Sequence, residues 1–257
     1  MSQYRLKSLQ LTVYLVLAAI IVTTLVTSAM LRRLERHSDI PPEPTTRLTH
    51  FLRIYEQTME PYTVVALGDS NTEVNWTSEG QLNWTGHLSA GMAQHRVLVN
   101  AGQGGDTAAG GLARLGSDVL SAEPDLVIVT FGTNDLALDT LENFEASMRG
   151  IVDGIRAAGP ASILLRTPNP NYDMEAGTWL ESEKLDQIAE IIREIAAEKK
   201  TGLVDHYALW RDDENADPAE LMLDPVHPNA QGHRRFYAEL APVFGLPKTH
   251  FWERETE

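Results

Sequence analysis

Cysteine is absent from the 257 residues. That absence removes disulfides, thiolate nucleophiles, Cys-ligated zinc and iron–sulfur clusters together, so any catalysis rests on oxygen and nitrogen groups. It leaves the redox compartment open. Positive charge is the second shortage: 21 Lys and Arg stand against 36 Asp and Glu, a formal net charge of −15. Such a balance repels nucleic acid and anionic membrane surfaces, so no nucleic-acid partner is expected and the acidity reads as a solvated surface. Hydrophobic residues make up 43% of the chain, enough at this length for one substantial domain plus an appendage.

Charge is missing altogether from Ser8 through Leu31. The stretch "LQLTVYLVLAAIIVTTLVTSAML", residues 9–31 after a short tail over 1–8, has the length of a bilayer-spanning helix of about 20 residues. A cleaved signal peptide is the rival, with small residues at Thr27 to Ala29. The apolar part exceeds the usual signal core of roughly 7–15 residues, which favours an uncleaved single-pass anchor. Arg5 and Lys7 on one side and Arg32, Arg33 and Arg36 on the other leave the charge bias nearly balanced. The expectation is a cytoplasmic tail and an exported domain. "HSDIPPEPTTR" then reads as a linker, and "LTHFLRIYEQTME" as a packing helix ended by Pro61, which together fill 32–60. A domain over 61–247 and a C-terminal tail over 248–257 complete the chain.

Within the domain, "TVVALG", "RVLVNA", "DLVIVTF", "SILLRT" and "TGLVD" are short apolar runs of strand type. Between the third and fourth, Leu141, Phe144, Met148, Ile151, Val152 and Ile155 trace one helical face; between the fourth and fifth, Leu185, Ile188, Ile192, Ile195 and Ala196 trace another. Alternation of this kind predicts an α/β fold with a mostly parallel sheet covered on both faces. Ligands bind such sheets beyond the carboxyl ends of the strands. There the polar material gathers: "GDSN", "AGQGGDT", "GTND", "TPNPNY" and, before the last helix, "LDPVHPNAQGH".

Each piece has a plain and a chemical reading. Ser70 follows a strand directly, where a serine serves equally as an N-cap or turn residue and as a nucleophile. Thr72 occupies the second glycine position of the G-x-S-x-G elbow, which argues against that arrangement. The glycines at 102, 104 and 105 form a plain turn or offer an N–H to an oxyanion, and Thr107 breaks the dinucleotide fingerprint. Asn134 either caps its loop or donates from its amide to developing negative charge. "DPVHP" says more: prolines restrain a turn in which Asp224 stands three residues before His227, so one segment presents an imidazole with a carboxylate that fixes its tautomer, and Asn229 caps the next helix. A metal site there lacks a second histidine or carboxylate cluster. His206 and His233 read as surface or helix-face residues. Trp84 reads as core, while Trp76 is near enough to the serine to touch a substrate.

Taken in order, "GDSN", "NAGQGGDT", "GTND" and "DPVHPN" resemble the four blocks of the SGNH hydrolase superfamily, the GDSL-type esterases, across 61–247. The resemblance implies Ser70 as nucleophile, His227 as general base and then acid, and Asp224 as its orienting partner. It implies an oxyanion hole from the N–H of Ser70, the N–H of Gly105, with Gly104 as the neighbouring alternative, and the side chain of Asn134. It further implies a flavodoxin-like three-layer α/β/α sandwich on a five-stranded parallel sheet, a carboxylic ester of a small molecule, lipid or glycan as substrate, and no metal or organic cofactor. Asp69 is left to shape the turn. An acyltransferase would use the same residues, and a binding module on a membrane stalk would not need all three of Ser70, Asp224 and His227.

Overall fold

The computed structural model describes residues 62–73, 82–92, 96–246 and 248. The expected anchor over 9–31, the linker and packing helix over 32–60 and Trp76 lie outside the described residues. Among those described, no helix is long and apolar enough to cross a membrane.

All five apolar runs become strands. They are β1 (Tyr62–Gly68), β2 (Arg96–Gly102), β3 (Leu126–Thr130), β4 (Ser162–Arg166) and, after a pair of two-residue strands β5 (Tyr172–Asp173) and β6 (Thr178–Trp179), β7 (Gly202–Val204). β1, β2, β3, β4 and β7 form one parallel sheet in the order β2-β1-β3-β4-β7, the flavodoxin-like arrangement. Val64, Val65, Ala66 and Leu67 are all fully buried, which explains why β1 is apolar without alternation: both of its faces are covered.

The helices are α1 (Trp84–Gly91), α2 (Ala108–Ala113), α3 (Leu115–Asp118), α4 (Asp135–Leu138), α5 (Leu141–Ala158), α6 (Glu183–Lys199), α7 (His206–Arg211), α8 (Pro218–Leu221) and α9 (Ala230–Leu240). Val65, Leu67, Val127, Val129, Ile163 and Leu165 pack in one apolar cluster with the buried stripes of α5 and α6. Thr140 and Ser182 start those two helices by accepting from the N–H groups of Asn143 and Leu185. Side chains alternate along a strand, so Leu164 and Arg166 project from the opposite face of β4. There the Arg166 guanidinium lies against Trp84 of α1 and Phe236 of α9, which places those helices in the third layer. Trp84 is a core residue, as its helical pattern implies.

Candidate active site

β1 ends abruptly at Gly68 because the next residues turn back on themselves. Thr72 and Glu73 both donate their N–H to Asp69 O at 3.0 Å, and Asn71 N–H donates to Asp69 Oδ1 at 2.9 Å. Asp69 therefore shapes the turn. Gly102 of β2 lies against it: a Cβ there would stand 2.4 Å from Glu73 N, so only glycine lets the second loop approach the first. Arg114 ties both strand ends together, donating to Gly68 O at 3.0 Å, Ala101 O at 2.7 Å and Asp106 Oδ2 at 2.7 Å.

Ser70 is buried on this turn, and its Oγ lies 2.9 Å from His227 Nε2. His227 Nδ1 lies 2.8 Å from Asp224 Oδ2, while Asp224 Oδ1 accepts from the N–H groups of Val226 at 2.9 Å and His227 at 2.8 Å. One carboxylate thus folds the histidine's loop and orients its ring. Burial pushes the Asp224 carboxyl up, but those two N–H groups and the imidazole outweigh it and hold it below the ordinary range. The ionised Asp224 accepts the hydrogen bond of Nδ1–H, which fixes the tautomer that leaves Nε2 with a lone pair for the Ser70 hydroxyl. Leu223 N–H closes the turn on His227 O at 2.8 Å, Tyr172 N–H holds Pro225 O at 2.8 Å, and Asn229 accepts from Gln231 and Gly232 to start α9. Val226 O receives the amides of Asn71 at 3.4 Å and Asn169 at 3.3 Å, which joins the serine turn, the "TPNPNY" loop and the histidine loop.

Gly105 has a φ of 75° and is exposed, a left-handed conformation that favours glycine. No described residue accepts from its N–H or from that of Ser70. Asn134 does not cap α4 with its side chain; one amide hydrogen goes to Asp106 O at 2.9 Å, which ties its loop to that of Gly105 and leaves the second hydrogen unspent. Asp135 reinforces the tie, accepting from Ala108 N–H at 2.9 Å and Gly132 N–H at 3.0 Å. Its burial raises its pKa against those N–H groups.

Sequence reading missed Asp135, Asn169, Arg114, and the burial of His206 and His233. His206 and His233 are both buried, not at the surface. His233 Nδ1 accepts from Trp84 N–H at 3.4 Å, and burial together with Arg166 pulls its pKa down to about 3.

Four loops from the carboxyl ends of parallel strands thus meet at a hydrogen-bonded serine, histidine and aspartate. The description "GDSL-like Lipase/Acylhydrolase family" belongs to the family model that matches residues 66–235, most of the described domain. The chain belongs to this family. Esterase TesA of Pseudomonas aeruginosa is 28% identical over 192 residues, covering 70% of this chain and 87% of its own. The acetylxylan esterase Axe2 from Geobacillus stearothermophilus superposes with a TM-score of 0.62 at 23% identity, over 75% of this chain and 98% of its own. Its catalytic mutants replace a serine, an aspartate and a histidine three residues after that aspartate with alanine. The lipase/acylhydrolase from Enterococcus faecalis gives 0.59 at 22% identity, over 74% and 99% of the two chains. At these identities the structural likeness establishes the fold, and the family model makes the protein an SGNH-type hydrolase acting on esters.

Proposed function

We propose that this GDSL-family domain cleaves carboxylic esters through an acyl-enzyme on Ser70. The observation that carries this reading is the chain from Ser70 Oγ to His227 Nε2 at 2.9 Å and from His227 Nδ1 to Asp224 at 2.8 Å. Ser70 attacks the ester carbonyl as His227 accepts its proton, and Asp224 stabilises the imidazolium that results. The tetrahedral oxyanion is held by the N–H groups of Ser70 and Gly105 and by the second amide hydrogen of Asn134. These are neutral donors whose hydrogens are not already spent on any described residue. His227 returns the proton to the departing alcohol, then takes one from the water that releases the acid. The same three residue types, with the same Asp-to-His spacing, are the positions replaced in the catalytic mutants of Axe2.

The acyl acceptor in this reading is water, and the substrate is an ester of a small acid with a glycan, lipid or simple alcohol. In this reading the chain is held at a membrane by residues 9–31, whose uncharged length supports the anchor, and the catalytic domain is assigned to the extracytoplasmic side. Ser70→Ala is expected to abolish hydrolysis of p-nitrophenyl acetate while leaving the circular dichroism spectrum unchanged. Turnover at the wild-type rate would remove Ser70 from the nucleophile's role.

A further inference from the structure

Arg166 ends β4 as a charged side chain only 1% exposed, in a position where an apolar residue of similar volume would pack without the penalty of burying a cation. Its surroundings are specific. Nε–H donates to His206 Nε2 at 2.8 Å, and His206 Nδ1 lies 2.5 Å from Glu239 Oε2. Glu239 also accepts from Trp210 Nε1–H and from Arg235 Nε–H, each at 3.0 Å. This pattern fixes His206 as the neutral Nδ1–H tautomer, and burial, aided by Arg166, keeps it so with a pKa pulled down to about 4.

On its other side the guanidinium is stacked between two rings, with Cζ 4.0 Å from the centre of Trp84 and 4.7 Å from that of Phe236. Trp84 in turn donates its indole N–H to Asn71 O at 3.0 Å. A continuous path therefore runs from Glu239 through His206, Arg166 and Trp84 to the backbone of the turn that carries Ser70. Asn71 is held at both ends of its backbone: Asp69 Oδ1 takes its N–H, and Trp84 supplies the donor for its C=O.

Charge follows the same route. Among the described residues, the two buried Nη atoms of Arg166 have no acceptor and the buried Asp69 Oδ2 has no donor. Register aligns Gly68, Thr130 and Arg166 across the carboxyl edge of β1, β3 and β4, one residue before Asp69. Burial pushes the Asp69 carboxyl up to about 6; the Asn71 N–H, His227 and Arg166 pull against that, and Asp135 adds to it. Asp135, His227 and Arg166 are the titratable groups that face it. A guanidinium that served packing alone would need neither the histidine clamp nor the indole that reaches the turn.

We propose that Arg166 is a positioning residue for the nucleophile turn, fixing the Asn71 carbonyl through Trp84 and keeping Asp69 as the carboxylate that holds the Asn71 N–H. The proposal rests on the assignment of Ser70 as nucleophile. It is tested with the full chain by measuring kcat and KM for p-nitrophenyl acetate against pH in wild type, Ser70→Ala, Arg166→Met, Arg166→Lys and Asp69→Asn. Arg166→Met is expected to lower kcat on the order of tenfold or more with KM little changed, since a small misplacement of a reacting group has that size of effect. Loss of the cation favours protonated Asp69, so the acid limb of kcat moves to higher pH. Arg166→Lys restores most of kcat, and in an Asp69→Asn background Arg166→Met leaves the limb where it is. A wild-type kcat and an unmoved limb in folded Arg166→Met overturn the proposal even when Ser70→Ala is inactive. Activity in Ser70→Ala overturns both assignments. If Arg166→Met does not fold, Trp84→Phe keeps the stacked ring and deletes the donor to Asn71, so its kcat must fall with KM unchanged; an unaltered kcat counts against the proposal in the same way.

Discussion

Asp224 accepts from three donors at once, the N–H groups of Val226 and His227 through one oxygen and the imidazole through the other. These two duties separate on substitution. In Asp224→Asn the carbonyl oxygen still accepts from the two backbone donors, so the histidine loop stays folded, but the amide NH₂ now meets His227 Nδ1 and favours the tautomer with its proton on Nε2. That tautomer cannot take the serine proton. A fall in kcat on the order of 10³-fold or more is expected for Asp224→Asn with its melting temperature preserved, because an orienting carboxylate has an effect of that size in serine hydrolases generally. Asp224→Ala should lose the same activity and also melt lower. Wild-type turnover by the asparagine variant would show that the carboxylate does not set the tautomer.

The loops, short as they are, owe their geometry to a few buried polar side chains. Asp135 is one such staple, joining the start of α2 to the turn after β3. Asp135→Ala leaves two buried N–H groups without an acceptor, each worth about 1–3 kcal/mol. Urea unfolding should register that loss, and kcat should fall because the Asn134 and Gly105 loops are no longer tied; an unchanged unfolding midpoint would contradict the staple. The five strands of the main sheet and the two long helices were legible in the sequence because apolar runs bounded by polar breaks and the 3.6-residue spacing leave little choice. β5 and β6 were not, since two residues carry neither an apolar run nor a period. Ser70, His227 and Asp224 were legible as polar breaks at strand and helix ends, whose order matched a known set of blocks. Arg166, His206 and His233 were not: read locally they are ordinary polar residues, and their burial comes from partners such as Glu239, Trp84 and Phe236 that are distant in the chain. A polar residue's burial is a tertiary property, and no local pattern announces it.

At the scale of the whole molecule, an acidic domain with a parallel sheet is joined in sequence to an uncharged N-terminal stretch. The chain's net charge of −15 disfavours adsorption to anionic surfaces, so the proposed membrane attachment rests on residues 9–31. The full chain is accordingly expected in the membrane fraction after alkaline carbonate extraction, with the domain cleaved by protease added to spheroplasts; complete protection would reverse the proposed orientation. Ser70 is the hydroxyl that the structure couples to a base, and the acyl-enzyme proposal rests on that coupling. The most direct measurement is peptide mass spectrometry of the protein quenched in acid during turnover of an ester or after reaction with a fluorophosphonate. An acyl or phosphonyl adduct on Ser70, lost in His227→Ala, is the expected result. Full ester hydrolysis with Ser70 unmodified, or with the adduct on another residue, would contradict the acyl-enzyme assignment.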